Sequence, residues 1–247
     1  MPHAHRHEVT GWKARTLALA GRSRKAGLVL EWAWWTRAVV RARFLRRRAP
    51  WYAPRLDTAT PFPSHLTPLL DELPAGPIRV IDVGSGPFSV LGAGHATRTL
   101  TIVATDPLAR PYNAVLWLLR LRPAVPTRAI AGEDLSRAFG PAAFDFAHAR
   151  NSLDHAEDPV AIVLAMVAVT KPGGIIFLQH HPDEAEDRGG TGLHRWNLSE
   201  DGGRFVIWDE HRRVDVTDLL RGEAEVAVVR TPVWVEVTMR KRTNGAP

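Results

Sequence analysis

Arg79–Leu91 reads RVIDVGSGPFSVL. The run Ile78–Val83 is short, apolar and rich in β-branched residues, the pattern of a strand buried on both faces. It breaks at Gly84-Ser85-Gly86, after which Ser89 or a neighbour is expected to open a helix. A turn without bulky side chains lets backbone N–H groups approach a ligand, and a helix start adds partial positive charge there. A G-x-G after a strand also occurs as plain structure. What strengthens the binding reading is Asp106, at the end of the next strand-like run Thr101–Thr105, where an acid takes ribose hydroxyls. A dinucleotide fingerprint wants a third glycine three residues after the second, and that position holds Ser89.

Downstream, strand and helix patterns alternate. Pro111–Leu121 is an apolar-sided helix, Thr127–Ile130 a third strand, Ala143–Ala149 a fourth, Pro159–Thr170 a helix and Ile175–Gln179 a fifth strand. Ala224–Arg230 and Val233–Arg240 then alternate in two runs split by Thr231-Pro232, as edge strands do.

The string Val80–Gly86, with Asp82 two residues ahead of Gly84, resembles the first motif of the class I S-adenosylmethionine-dependent methyltransferases. The likeness continues in order from about Leu69 to Arg240. Asp106 matches that family's ribose-binding acid, Glu133-Asp134 the place of its adenine contact, Phe144-Asp145-Phe146 its fourth strand, and Lys171-Pro172-Gly173-Gly174 the turn before its fifth. The resemblance implies a Rossmann-like α/β fold: a mostly parallel seven-stranded sheet, helices on both faces and an antiparallel C-terminal strand pair. It implies S-adenosylmethionine as cofactor, with Asp82, Gly84, Ser85, Gly86, Asp106, Glu133, Asp134 and Asn151 holding it. One departure stands out. The third small residue of the family's glycine loop is Phe88 here, whose bulk either closes over the cofactor or weakens its binding.

In open parallel sheets the ligand lies beyond the carboxyl ends of the strands. Past strand four stand Asn151, Asp154 and His155; past strand five, His180, His181, Asp183 and Glu184; His194, Trp196 and Asn197 follow. Methyl transfer to a hydroxyl needs an aligned nucleophile and a proton acceptor, and an imidazole beside a carboxylate suits that task. His155 with Asp154 is the first candidate base and His181 the second; the alternative is a histidine capping the helix at Pro159. A divalent ion such as magnesium, held by Asp154, Asp183 and Glu184, is a further option, although their spacing fits no metal motif. The segments His180–Glu186, Gly192–Asn197 and Phe205–Trp208 resemble methyltransferases of bacterial glycan and natural-product pathways. That likeness implies a sugar or polyhydroxylated acceptor, with His180, His194, Trp196 and Asn197 lining its side. Trp196 reads equally as a core anchor. The rivals are an RNA methyltransferase and a non-catalytic S-adenosylmethionine-binding protein. Asn151-Ser152-Leu153-Asp154 lacks the Asn-Pro-Pro-aromatic motif of base methylation, and the chain has no cysteine for cytosine-C5 chemistry, so nucleic acid is not the expected substrate.

The absence of cysteine also excludes disulfides and thiolate–zinc sites. Net charge is +6, but residues 1–50 alone carry +10, leaving the remainder at −4. The basic character therefore belongs to an arm. We divide the chain into an arm and proline-rich hinge (1–66) and a catalytic domain (67–247). Thr16–Arg46 is helical by pattern, with Leu28, Trp32, Trp35 and Val39 on one side and Arg37, Arg41 and Arg43 on the other. Three roles suit the arm: covering the cofactor cleft, lying on an anionic membrane surface, or binding an acidic or extended partner. A homodimer is also admissible. His3, His5 and His7 read as a tail or a weak metal site. Without the features of a signal peptide or a spanning segment, the expected location is cytoplasmic.

Overall fold

A computed structural model describes residues 24–44, 52–187 and 193–243. The expectations for His3, His5, His7 and Arg46–Arg48 lie outside them.

The glycine-loop strand is β1 (Ile78–Val83), buried at five of its six positions. It pairs in parallel with β2 (Leu100–Thr105) and β4 (Phe144–Arg150). The full sheet runs β3-β2-β1-β4-β5-β10-β9, with β3 at Thr127–Arg128, β5 at Thr170–His180, β9 at Ala224–Arg230 and β10 at Val235–Lys241. β10 is antiparallel to both β5 and β9, so the expected seven-stranded sheet with an antiparallel end is present. Alternation along β1 divides the core in two. Ile81 and Val83 face the larger cluster, which holds Val163, Met166 and Val167, whereas Ile78 and Val80 face Leu66, Leu70, Phe146 and Phe177. Strand order reverses between β1 and β4, the switch point at which such sheets bind ligands.

Seven helices lie among the described residues: α1 (Arg24–Phe44), α2 (Thr67–Asp71), α3 (Ala109–Leu118), α4 (Leu135–Phe139), α5 (Pro159–Val169), α6 (Glu184–Asp187) and α7 (Val216–Leu219). α5 starts where Pro159 fits the first turn and the Asp158 carboxylate accepts from Val160 N and Ala161 N, so no histidine caps it. In α1, Gly27, Trp35, Ala38, Val39 and Ala42 turn inward, while Trp32 is exposed. The expected stripe thus holds at Leu28, Trp35 and Val39 and fails at Trp32. None of the described helices is long and apolar enough to cross a membrane.

Three local expectations are corrected. No helix follows the glycine loop: residues 84–99 run as turns and bends. Gly92 and Gly94 pass so close to the Thr60 and Pro61 backbone that a Cβ on Gly92 would sit 2.2 Å from the Thr60 carbonyl oxygen. Phe62 N donates to Gly94 O at 2.6 Å, pinning this connection to the proline-rich stretch in extended form. Lys171–Gly174 is not a free turn but the irregular start of β5, where the β4 pairing shifts register. Finally, Asn197–Asp201, Arg204–Trp208 and Arg213–Asp215 (β6, β7, β8) form a separate antiparallel sheet, joined at Gly202-Gly203 with φ of 58° and 82°. Two consecutive left-handed residues make the tight turn that matches strand twist.

Candidate functional site

The glycine loop is held from below. Gly84 N and Ser85 N donate to the Thr105 carbonyl at 2.8 and 3.0 Å, and Thr127 Oγ1 donates to Gly86 O at 2.9 Å. Gly84 and Gly86 adopt φ of 69° and 62°, a left-handed region that side chains resist. Space is equally short: a Cβ on Gly84 would lie 2.3 Å from Ser152 Cβ, and one on Gly86 2.8 Å from the Trp35 ring. Gly84→Ala is therefore expected to lower the unfolding free energy by about 2 kcal/mol or more, read by urea denaturation, with loss of cofactor binding in calorimetry. An unchanged midpoint would show that the loop relaxes freely.

Asp82 lies beneath this loop, 2 % exposed, with Oδ2 accepting from Ser89 Oγ at 2.6 Å and Oδ1 2.7 Å from His148 Nδ1. Both of its oxygens are engaged by the protein. It borders the cavity, and its visible work is to fix the loop. Asp106 closes the other side: Oδ2 accepts from Gly86 N at 3.0 Å and Oδ1 from Leu108 N at 2.8 Å. Burial raises its carboxyl to about 6, against the pull of those two backbone donors. The remaining lone pairs of this buried carboxylate border the cavity.

That cavity, about 1110 Å³, lies over the carboxyl ends of β1, β2 and β4. Its glycine-loop end is formed by Asp82, Gly84, Ser85, Gly86, Asp106 and Glu133. Leu28, Leu30, Glu31, Trp34 and Trp35 of α1 form the outer wall. Trp35 is held by its Nε1 donating to Glu31 Oε1 at 2.8 Å and by edge contacts with Tyr52 and Tyr112. Phe88 does not enter. It is fully buried with Val39, Ala42 and Leu116, so its bulk cements α1 to the loop and leaves the cavity clear.

At the opposite end, the turn after β4 presents Asp154 and His155, and His194 approaches just before β6. Asp154 Oδ2 is 2.6 Å from His194 Nδ1 and 3.2 Å from His155 Nε2, while the two ring nitrogens are 3.2 Å apart. Glu184 Oε2 stands 3.1 Å from the same His194 nitrogen. Burial alone would raise the Asp154 carboxyl, but His155, His194 and His180 outweigh it and hold it at about 2. A 4 % exposed carboxylate held in its ionised form by two facing imidazoles can orient a proton acceptor or hold a cation.

The other expected residues divide. His181 borders the cavity, stacked on Trp234 at 4.2 Å with Nδ1 3.0 Å from Val233 O. Asn151 also borders it at φ 45°, its Oδ1 accepting from His181 N at 3.1 Å. Five residues are elsewhere. Asp134 faces solvent and pairs with Arg137 at 3.0 Å. His180 is buried in β5, away from the cavity, and burial lowers its imidazole to about 3. Trp196 is a core anchor whose Nε1 donates to Ala156 O at 3.2 Å, and Asn197 is buried with Oδ1 accepting from Glu186 N at 3.0 Å. Asp183 bonds Ser199 and Arg230, outside any metal cluster with Asp154. Sequence reasoning missed Glu31, Tyr52, Arg55, Tyr112 and Arg150, all on the cavity wall. Glu31 carried a signal, as the only acid in a basic helix. Arg55 carried none: it follows a proline in a stretch that looks like linker.

Comparison with known proteins gives a family and a fold. A family model described as a methyltransferase domain matches residues 53–212. A ubiquinone biosynthesis O-methyltransferase of Dechloromonas aromatica is 34% identical over 101 residues, 40% of this chain and 43% of that protein. One from Chromobacterium violaceum is 36% identical over 101 residues, covering 40% and 42%. The match thus spans about two fifths of the length of these curated relatives. Among solved structures, one from Methanococcus maripaludis, provisionally assigned as an S-adenosyl-L-methionine-dependent methyltransferase, superposes with a TM-score of 0.50 at 12% identity, covering 91% of this chain and 96% of the other. It shares the fold.

Proposed function

The chain belongs to the methyltransferase domain family, and from that premise we propose that it transfers a methyl group from S-adenosylmethionine to a hydroxyl of a small acceptor with an apolar framework. The observation that carries this reading is one cavity with a side-chain-free loop and a buried acid at one end, and a carboxylate–imidazole cluster at the other. The fit to the cofactor is chemical. Glycines at 84 and 86 leave bare backbone on the wall, and Asp106 offers an anionic acceptor for ribose hydroxyls.

When bound, S-adenosylmethionine supplies an electrophilic methyl group on a sulfonium. In this reading the loop Gly84–Gly86 and Asp106 hold the nucleoside, with Glu133 on the adenine side. Asp154 holds the two imidazoles, and His155 takes the acceptor's proton as its oxygen attacks. Trp34, Trp35, Leu28 and Leu30 exclude water and offer an apolar surface. Within the 1–66 arm, α1 would then be the acceptor's cover over the catalytic domain.

Two points favour an aromatic or otherwise apolar acceptor over a sugar. The relatives are named for O-methylation in ubiquinone biosynthesis. The sugar reading leaned on Trp196 and Asn197, and both are buried in the core. The test is incubation of the full chain with methyl-labelled S-adenosylmethionine and a panel of alkyl-substituted phenols and catechols, free sugars, oligosaccharides and RNA. Labelled phenolic ether with release of S-adenosylhomocysteine is the expected result. Transfer to sugars alone would restore the glycan reading, and no transfer to any acceptor would leave only a binding protein.

A further inference from the structure

We infer that Asp154, His155 and His194, joined by Glu184, form a binding site for a divalent transition-metal ion at the acceptor end of the cavity. Three potential ligand atoms from two parts of the chain, the turn after β4 and the segment before β6, meet there: Asp154 Oδ2, His155 Nε2 and His194 Nδ1, with mutual distances of 2.6, 3.2 and 3.2 Å. A fourth, Glu184 Oε2, lies 3.1 Å from His194 Nδ1. Hydrogen bonding alone accounts poorly for this convergence. His194 Nδ1 carries at most one hydrogen, yet it faces two carboxylate oxygens and another imidazole nitrogen within 3.2 Å.

The dimensions suit a small ion. Tetrahedral zinc, with bonds of about 2.0–2.1 Å, sets neighbouring ligand atoms about 3.3 Å apart. Three of the observed separations are within about 0.2 Å of that value, and the fourth must open by roughly 0.7 Å, a small side-chain rotation. Two imidazole nitrogens with carboxylate oxygens and no thiolate favour zinc, iron, cobalt or manganese over magnesium, which prefers oxygen ligands alone. The ion proposed here differs from the magnesium option of the sequence in accepting imidazole ligands readily. Its ligands also differ: His194 and His155 enter, and Asp183 is occupied by Ser199 and Arg230.

The use of the ion rests on the methyl-transfer reading above. With its Nε2 engaged by the ion, His155 would no longer be the proton acceptor, and a hydroxyl held on the ion would lose its proton to solvent more readily. The oxygen lone pair then forms the bond to the methyl carbon as the carbon–sulfur bond breaks, its electron pair passing to sulfur. Alkyl ether, neutral thioether and one released proton balance the step.

The test uses the full chain, stripped with a chelator and titrated calorimetrically with Zn2+ and, separately, Mg2+, with Co2+ as a visible-absorption probe. One zinc per chain, no heat with Mg2+ and cobalt d–d bands are expected. His194→Ala and His155→Ala should each weaken Zn2+ binding on the order of a hundredfold, as loss of one ligand does. A variant with His3, His5 and His7 all changed to alanine controls for the N-terminal histidines and should keep the site. Unchanged Zn2+ affinity in both single variants, or loss only in the N-terminal variant, would overturn the inference. So would undiminished transfer by the stripped chain, while leaving the methyltransferase reading standing. A chain that binds Zn2+ at this cluster but not S-adenosylmethionine would do the reverse.

Discussion

Asp154→Asn is expected to lower turnover about a thousandfold while S-adenosylmethionine binding stays within about twofold. The asparagine keeps the volume of a side chain only 4 % exposed, so the turn Leu153–His155 retains its packing. What changes is the charge that His194 at 2.6 Å and His155 at 3.2 Å both face. Without the carboxylate, neither imidazole is held in a fixed tautomer, and an imidazolium formed on His155 has no adjacent anion to stabilise it. The same substitution removes the one ligand that faces both histidines, so an ion at this cluster is lost with it. Both routes lower kcat and leave the glycine loop, at the other end of the cavity, untouched. Single-turnover rates with calorimetry of the cofactor separate the two ends. A thousandfold loss accompanied by equal loss of cofactor affinity would mean that the cavity had collapsed. Retained turnover would move proton transfer to His181, the other ring on the wall.

Much of this site was legible because its parts follow strands. β1 and β2 are short apolar runs whose ends are marked by glycine and by Asp106, and a ligand site at their tips follows from sheet geometry alone. His155 and Asp154 were found by the same logic, one turn past β4. The failures came where a residue's partner lies far along the chain. Asn197 was expected on the acceptor side because the hairpin that buries it turns on Gly202-Gly203, which reads as flexibility until β6 and β7 are paired, whereas Trp196 takes the core-anchor place that was one of its two readings. His180 continues the inward alternation of β5 by one residue beyond the expected end of the strand at Gln179. The helix expected at Ser89 depended on local propensity, and it lost to the Thr60–Phe62 backbone, which holds Gly92 and Gly94 in extended contact. Phe88 departs from the family's small residue for a long-range reason as well. In the structure it fills the gap between the loop and Val39 and Ala42 of α1, a helix whose inward face was read correctly at Trp35 and Val39 and wrongly at Trp32. Local pattern reports the period of an element; it does not report which neighbour that element meets.

Asp106→Asn is expected to weaken S-adenosylmethionine binding on the order of a hundredfold, the loss of about 3 kcal/mol carried by two hydroxyl-to-carboxylate hydrogen bonds. The same change should act in the opposite sense on the ligand-free protein. Burial raises this carboxyl from 3.8 to about 6. A raised folded-state value means that the native state holds the proton more tightly than the unfolded chain. Stability then falls as pH rises from about 4 to about 6, and above pH 6 the full cost of the ionised group, about 3 kcal/mol, is present. An amide avoids that cost but can accept from only one of Gly86 N and Leu108 N, which returns about 1–2 kcal/mol of it. The net expectation at pH 7.5 is a variant about 1–2 kcal/mol more stable than wild type without ligand, with the advantage vanishing near pH 5 and reversed by about 1–2 kcal/mol near pH 4. Cofactor affinity of the wild type should fall by about tenfold between pH 7 and pH 5, because the ionised form is the one that accepts ribose hydroxyls, and Asp106→Asn should flatten that dependence. Urea denaturation and calorimetry at both pH values check the pair of signs. A residue kept only for packing would lose stability on substitution and leave the affinity profile sloped. Greater stability with lost affinity is the mark of a group retained at a cost to the fold for the sake of a ligand.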